Sequence, residues 1–189
     1  MNDKRTYMQN FKLIKSISLI ICAFLITSCS NNSAMKPEDF KNKEPRLIIE
    51  EYLSGDVKAW GVLQDRSGKV TRQFSANLNG TWDGKQLILK ERFNWDDGEI
   101  QDREWVINKI DENNYEGTAG DVVGKAIGYS YGPAFKFEYV LLVPVKGREL
   151  KITFDDWIFK QDERVAINRA TMTKFGFKVA ELTVVFVKD

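Results

Sequence analysis

The chain has 189 residues, with 28 lysines and arginines against 27 acidic residues, two cysteines and no histidine. This length favours a single domain, and a net charge of +1 gives no electrostatic reason to expect a nucleic-acid partner. Without histidine, the chain cannot form a Ser-His-Asp triad, a Cys-His pair or an imidazole metal site. We assign no catalytic residue and expect no metal site and no cofactor, and an enzyme remains the less favoured alternative.

The first segment has the features of a bacterial export signal. Basic residues precede an apolar run, Ile17 to Ile26, which is too short to span a bilayer because a spanning helix needs about 20 apolar residues. The run leads into Leu25-Ile26-Thr27-Ser28-Cys29, which resembles the lipobox of bacterial lipoproteins. We therefore predict a signal peptide at residues 1–28, starting at Met1 or Met8, and a lipidated N-terminus at Cys29.

The predicted mature chain begins with a tether and continues as one domain. Residues 29–45 are rich in asparagine, serine and proline, as flexible linkers are, and residues 46–189 form the domain. Ser30 follows the cysteine, and a residue other than aspartate there generally implies sorting to the outer membrane of Gram-negative bacteria. The expected location is thus the outer membrane, facing the periplasm, with the lipid anchor as the membrane contact and the protein partner unknown.

The domain has the pattern of short strands joined by turns. From about residue 47, turn sequences such as Ser67-Gly68, Asn79-Gly80 and Asp97-Gly98 separate segments in which polar and apolar residues alternate. Eight to ten consecutive antiparallel strands leave two unpaired edges unless the sheet closes. We predict an all-β, up-and-down meander closed into a lipocalin-like (calycin-type) barrel, with a β-sandwich as the alternative. Residues 47–53 form either a first strand or a short helix over one barrel end.

Several charged residues occupy apolar positions of this alternation. Arg72, for example, lies between Val70 and Phe74, and an isolated charge inside a barrel is costly unless it is paired. One interpretation, which we favour, is a buried ion network that fixes the strand register. The other is the polar floor of a small-molecule pocket, where arginines would suit a carboxylate or phosphate. The residues concerned are Arg66, Arg72, Glu91, Arg103 and Asp121. Trp60, Trp95 and Trp105 would line such a pocket, although tryptophans more often belong to a core.

The segment 120–132 has glycine at every fourth position. If it is a strand, Gly124 and Gly128 lie on a face almost without bulk, while Tyr129 and Tyr131 occupy the opposite face. Such a face predicts a groove, and we expect Gly124, Gly128, Tyr129 and Tyr131 to line the pocket. A bent strand at a barrel corner explains the same glycines equally well.

Two adjacent acids, Asp155 and Asp156, lie within an aromatic run. Neighbouring residues of a strand point to opposite faces, so the two carboxylates cannot hold a metal together. We expect one of them to reach the interior near Asn168, Arg169 or Lys174.

The lipobox, Asp121-Val122-Val123-Gly124, Phe154-Asp155-Asp156-Trp157 and Lys174-Phe175-Gly176 together resemble lipoproteins of the domain of unknown function 3833 (DUF3833) family. The similarity extends over nearly all of the mature chain. It implies a Gram-negative envelope lipoprotein with a lipocalin-like fold, and it implies no activity.

Three functions are compatible with these residues. The first is a non-enzymatic binder of a fatty acyl or other small amphipathic ligand, with its head group on Arg72 or Arg103. The second is a structural or assembly lipoprotein that binds a protein partner. The third, which the absence of histidine and of a nucleophile motif disfavours, is an enzyme that acts on envelope lipid through Glu91, Asp121 and Asp156.

Overall fold

The computed structural model describes residues 34–145 and 147–189. The predicted signal peptide and Cys29 lie outside these residues. The strands are β1 (Gly55–Asp65), β2 (Val70–Trp82), β3 (Gln86–Trp95), β4 (Ile100–Lys109), β5 (Asn114–Thr118), β6 (Ala126–Tyr131), β7 (Ala134–Val145), β8 (Arg148–Lys160), β9 (Val165–Lys174) and β10 (Phe177–Lys188). A 3-10 helix (Pro37–Phe40) and a one-turn helix, α1 (Ile49–Tyr52), precede them.

The ten strands form one closed antiparallel barrel. Each strand pairs with the next along the chain, and β1 pairs with β10, with Val57 opposite Lys188. Closure pairs both edges of the sheet, and the alternating sequence places every second side chain inside. On β2, for instance, Phe74 is buried and its neighbour Gln73 is exposed. The predicted lipocalin-like barrel is confirmed, and the sandwich alternative is wrong.

Helix α1 covers one end of the barrel, which we call the closed end. Ile49 enters the core, and the Tyr52 hydroxyl donates hydrogen bonds to the carbonyls of Arg164 at 2.9 Å and Phe186 at 3.2 Å. Burial raises the pKa of Tyr52 to about 12, so this hydroxyl stays a donor. Of the two alternatives for residues 47–53, the helix is therefore correct.

The side chain of Glu50, on α1, is also held in place. Glu50 is buried, accepts a hydrogen bond from the Tyr115 hydroxyl at 2.9 Å and forms an ion pair with Lys109. These contacts attach the helix to β4 and β5. Neither described helix is long and apolar enough to span a bilayer.

Part of the predicted tether packs on the outer wall of the barrel. The ring of Phe40 lies 5.9 Å from that of Trp157 and 5.4 Å from that of Phe159, between ring centroids. These aromatic contacts bury Trp157 from the outside. The prediction of a flexible linker reaching residue 45 is therefore corrected, because a phenylalanine within the polar segment anchors it.

A loop bridges the wall where β5 and β6 are short. The Val123 N–H donates to the Val140 carbonyl at 2.8 Å, and the Leu142 N–H donates to the Asp121 carbonyl at 2.9 Å. This loop, residues 119–125, lies between the ends of β4 and β7. The predicted strand over 120–132 is thus correct only from Ala126 onward, and Gly124 is an exposed loop residue with φ of 76°.

The predicted glycine groove is filled by aromatic side chains. A Cβ built on Gly128 would lie 3.0 Å from the Phe135 ring, and one on Gly117 would lie 2.4 Å from the Phe137 ring. Both phenylalanines belong to β7, so the bulk that β5 and β6 lack comes from a neighbouring strand. Tyr129 and Tyr131 have the outward parity of β6 and do not line the interior.

Gly80, on β2, lies against the residue that follows α1, so a substitution there measures how closely this end of the helix packs on the barrel. A Cβ there would lie 1.9 Å from the Leu53 carbonyl oxygen, which is backbone and cannot turn away. We expect Gly80→Ala to lower the free energy of unfolding by about 1–3 kcal/mol in urea titrations. Gly120→Ala is the control, because its Cβ would meet no atom within 4 Å. Equal stability of both variants would contradict the contact.

Candidate functional site

The barrel encloses a cavity of about 270 Å³. It extends from α1 towards the opposite end, which we call the mouth and which carries the turns after β1, β3, β5, β7 and β9. Most of its wall is aliphatic or aromatic. Its charged and amide side chains are Arg72, Glu91, Glu99, Gln101, Arg103, Asp121, Asp156 and Asn168.

Arg103 is the central charged residue of this wall. It lies directly opposite Glu91 in the β3–β4 ladder, and its Nη1 is 3.9 Å from Oε2 of that residue. Its Nε and Nη2 donate to one oxygen of Asp121, at 3.1 Å and 2.7 Å. The side chains of Glu91 and Arg103 are only 11% and 16% exposed. The predicted meeting of Glu91, Arg103 and Asp121 is therefore confirmed.

Asp156 extends the polar wall onto the other side of the barrel. The Tyr139 hydroxyl donates to one of its oxygens at 2.9 Å, and the Asn168 amide donates to the other. Asp155 faces outward, where its carboxylate lies 3.5 Å from the Lys136 ammonium. The expectation that one acid of this pair points inward near Asn168 is confirmed. We call Glu91, Arg103, Asp121, Tyr139, Asp156 and Asn168 the Arg103 cluster.

The cluster contains more acid than base. Burial raises the pKa of Glu91 to about 7, although Arg103 opposes this change, and burial likewise raises the pKa of Asp156 to about 6. Burial and the Asp156 charge also raise the pKa of Tyr139 well above its usual value. Glu91 can thus hold or release a proton near neutral pH, and Tyr139 remains a donor.

The cluster keeps hydrogen-bonding capacity for a guest molecule. Oδ1 of Asp121 is buried and has no hydrogen-bond partner among residues 34–145 and 147–189, although Oδ2 binds Arg103. A buried acceptor without a partner is unfavourable, and a donor group in the cavity would relieve that cost. An anionic group, in contrast, would have to compete with Asp121 and Glu91 for the guanidinium.

Arg72 occupies a different position, at the mouth. Its Nη2 donates to Asp97 and Glu99, each at 2.8 Å, and its guanidinium carbon lies 3.9 Å from the centre of the Trp95 ring. These partners differ from those of Arg103. Arg72 and Arg103 therefore occupy separate sites, although both were predicted to belong to one polar floor.

Two of the predicted tryptophans line the cavity and one does not. Trp105 is buried against Phe137, with 5.2 Å between ring centroids, and Trp95 lies nearer the mouth. Trp60 points outward from β1 and is 50% exposed. The parity of β1 was assigned wrongly because this strand carries apolar side chains on both faces, and Val57 and Ala59 are the inward ones.

Two predicted arginines also lie outside the cavity. Arg66 is exposed in the turn after β1, beyond the irregularity in pairing between Leu63 and Gln64. Arg169 faces outward on β9, with its guanidinium 3.6 Å from the Glu181 carboxylate. Alternation cannot place a residue that lies beyond the end of a strand, as Arg66 does. For Arg169 the inward neighbour, Asn168, is the residue that reaches Asp156.

Strand β7 contributes three aromatic side chains to the cavity that were not among the predicted site residues. Phe135, Phe137 and Tyr139 alternate along this strand and all face the cavity, and Tyr139 binds Asp156. Their period-two spacing was visible in the sequence. Glu50 could not have been found in this way, because its burial depends on the position of α1 against β4 and β5.

A closed antiparallel barrel with an interior cavity defines a lipocalin-like protein. The sequence matches the model of a family described as "Protein of unknown function (DUF3833)" over residues 23–188, and the chain belongs to this family. No curated protein has a significantly similar sequence.

Several solved structures resemble the fold, including the following two. The S-type phycobiliprotein lyase CPES from Guillardia theta is 10% identical with a TM-score of 0.55, and the match covers 74% of this chain and 90% of that one. A protein of unknown function from the DUF3598 family of Nostoc punctiforme is 14% identical with a TM-score of 0.58, and the match covers 78% of this chain and 51% of that one. This chain thus spans about half of the second protein. At these identities the similarity concerns the fold alone.

The raised pKa values of Glu91 and Asp156 predict a pH-dependent stability. At Glu91 and Asp156 the folded chain binds more protons than the unfolded chain between about pH 4 and pH 7, so the contribution of these two groups to the free energy of unfolding falls as pH rises through this window. Glu91→Gln should remove part of that slope and gain on the order of 2 kcal/mol relative to wild type between pH 5 and pH 8. Urea titrations at several pH values measure the slope.

Glu104→Gln is the matched control, because Glu104 is the exposed neighbour of Arg103 on β4. It should keep the wild-type slope. A Glu91→Gln variant with an unchanged slope would show that Glu91 titrates normally in the folded chain.

Proposed function

We propose that this protein is a lipoprotein anchored through Cys29 in the outer membrane, facing the periplasm, and that its barrel holds one small amphipathic molecule such as a fatty acyl compound. The observation that carries the proposal is the cavity of about 270 Å³, with mostly apolar walls and one charged cluster within them. Ligand sites commonly combine an apolar cavity with a few convergent polar groups.

The cavity volume limits the part of the ligand that is enclosed. An apolar cavity of about 150 Å³ can hold benzene, and this one is nearly twice as large. A head group with a short piece of acyl chain fits. A longer chain has to leave through the mouth, where Trp95 and Phe93 provide apolar surface beside Arg72.

The Arg103 cluster supports a particular kind of head group. Asp121 offers an acceptor without a partner in the described part of the chain, and the carboxylate of Glu91, on β3, also lies inside the barrel. Hydroxyl, amide and ammonium groups can donate to these oxygens directly. A carboxylate must instead share Arg103 with Asp121, so we expect it to bind more weakly than a donor group on the same chain.

The proposal of a lipid anchor is supported by the sequence and not by the cavity. The sequence Leu25-Ile26-Thr27-Ser28-Cys29 follows a short apolar run, and this pattern is typical of lipoprotein signals. Anchoring by several acyl chains gives stable membrane attachment without a spanning helix.

Ligand binding can be tested on residues 36–189, which contain every described strand and every residue of the described core. We expect this segment, exported to a bacterial periplasm and studied by native mass spectrometry, to carry a stoichiometric amphipathic compound. Decanol and decylamine should displace a fluorescent acyl probe better than decanoate does. The proposal would be contradicted if the protein carried no bound compound and none of the three compounds displaced the probe.

A matched pair of variants locates the binding site. Met172 lines the cavity on β9, whereas its neighbour Thr173 does not, so Met172→Trp should fill the cavity and Thr173→Trp should not. We expect Met172→Trp to weaken probe binding roughly tenfold or more, which corresponds to about 1.4 kcal/mol. Equal affinities of the two variants would place the probe outside the barrel.

The anchor has its own test, because the chain has exactly two cysteines. We expect metabolic labelling with an alkyne fatty acid to mark wild type and Cys22→Ser, and not Cys29→Ser. Cys22 is the matched control, since it lies within the predicted signal. Labelling of Cys29→Ser, or its absence from wild type, would contradict lipidation while leaving the ligand proposal intact.

A further inference from the structure

The hairpin between β9 and β10 presents aromatic side chains at the mouth. Phe175 is 89% exposed and Phe177 is 77% exposed, on either side of Gly176. The turns after β1 and β3, at the same end, instead present Ser67-Gly68 and Asp97-Gly98. Solvent exposure of two adjacent phenylalanines is unfavourable in water and marks a surface for contact with another apolar phase.

The backbone of this hairpin adds a second cost. Phe175 has φ of 52° and Gly176 has φ of 80°, so both central residues of the turn are left-handed. Asparagine, aspartate and glycine are favoured at such a position, because a bulky side chain strains it. The folded chain therefore accepts backbone strain to hold an aromatic ring in solvent, which core packing cannot explain.

Basic residues surround the two phenylalanines. Lys174 and Lys178 flank them, and the Lys174 ammonium lies 5.2 Å from the centre of the Phe175 ring. Lys178 also lies 3.3 Å from a carboxylate oxygen of Glu181.

The neighbouring hairpins extend this chemistry around the mouth. Because β10 pairs with β1, and β9 pairs with β8, the turns after β1 and β7 lie on either side of the aromatic hairpin. They contribute exposed basic and aliphatic residues, together with the acids Asp65 and Glu149. We call the following set the basic aromatic rim: Arg66, Lys69, Val70, Val145, Arg148, Lys174, Phe175, Phe177 and Lys178.

We propose that the basic aromatic rim docks the mouth of the barrel onto an anionic phospholipid surface. Phenylalanines enter the interfacial layer, and lysines and arginines bind lipid phosphates, as in other interfacial membrane-binding elements. Pairing with a second copy of this rim would bring cations against cations, which disfavours self-association. This proposal does not depend on whether the cavity holds a ligand.

The test uses residues 36–189, so that the lipid anchor cannot contribute. We expect this segment to sediment with vesicles made of equal parts phosphatidylcholine and phosphatidylglycerol, and less as salt is added. F175S/F177S should lower the partition coefficient at least tenfold. Lys174→Gln with Lys178→Gln should weaken binding and reduce its salt dependence.

Two controls separate docking from general effects. Ile110→Ser removes an exposed aliphatic residue near the closed end and should leave vesicle binding unchanged. Phe175→Asn should raise the melting temperature by relieving backbone strain, and should weaken vesicle binding at the same time. A purely structural role of Phe175 would not produce these opposite changes.

Two results would overturn the proposal. They are no binding of wild type to the anionic vesicles and equal binding of F175S/F177S. If vesicle binding is absent and sedimentation shows a dimer that F175S/F177S dissociates, the occupant of the rim is a second copy of the chain. Acyl-probe affinity in solution should be the same for F175S/F177S and wild type. If neither wild type nor F175S/F177S bound the acyl probe while wild type still bound vesicles, the proposed function would be contradicted and the proposed docking surface would be supported.

Discussion

The ion pair between Arg103 and Asp121 is the interaction on which the interior depends. It ties the loop 119–125 to β4 at the place where β5 and β6 are too short to complete the wall. Arg103 also supplies the positive charge that opposes the burial cost of Glu91 and, more weakly, that of Asp156. Without it, two buried carboxylates would lack a cation and the bridging loop would lose its inward contact. The polarity of the cavity and the integrity of the wall therefore have a common cause.

Local alternation predicted much of the fold and part of the site. It identified the strands, the closed barrel, the inward positions of Glu91 and Arg103 and one inward acid in the pair Asp155-Asp156, because successive side chains of a strand point to opposite faces. Alternation failed for residues whose positions depend on parts of the chain distant in sequence or on the ends of strands. Trp60 lies on a strand with apolar residues on both faces, Arg66 lies in a turn, and the space beside Gly128 is filled from another strand. The separation of Arg72 from Arg103 likewise depends on acids of a turn that alternation cannot position.

The two ends of the barrel have different chemistry. At the closed end, α1 is secured by Tyr52 and by the contacts of Glu50 with Lys109 and Tyr115. At the mouth, apolar and basic side chains are exposed on adjacent hairpins, and the cavity reaches this end beside Arg72. An amphipathic molecule in the cavity would thus have its polar end beside the Arg103 cluster and its exit route at the end best suited to a lipid surface. The barrel fold alone does not predict this difference between the two ends.

The pairing of β1 with β10 has a consequence for folding. Val57 and Lys188 are partners in the ladder, although nearly the whole barrel sequence lies between them. During synthesis the first strand must therefore wait, with one edge unpaired, until the last strand is available. Long-range pairing of this kind slows folding and leaves intermediates open to aggregation. The step most sensitive to truncation or delay is thus the addition of the final strand, which closes a curved, open sheet into a barrel with an interior cavity.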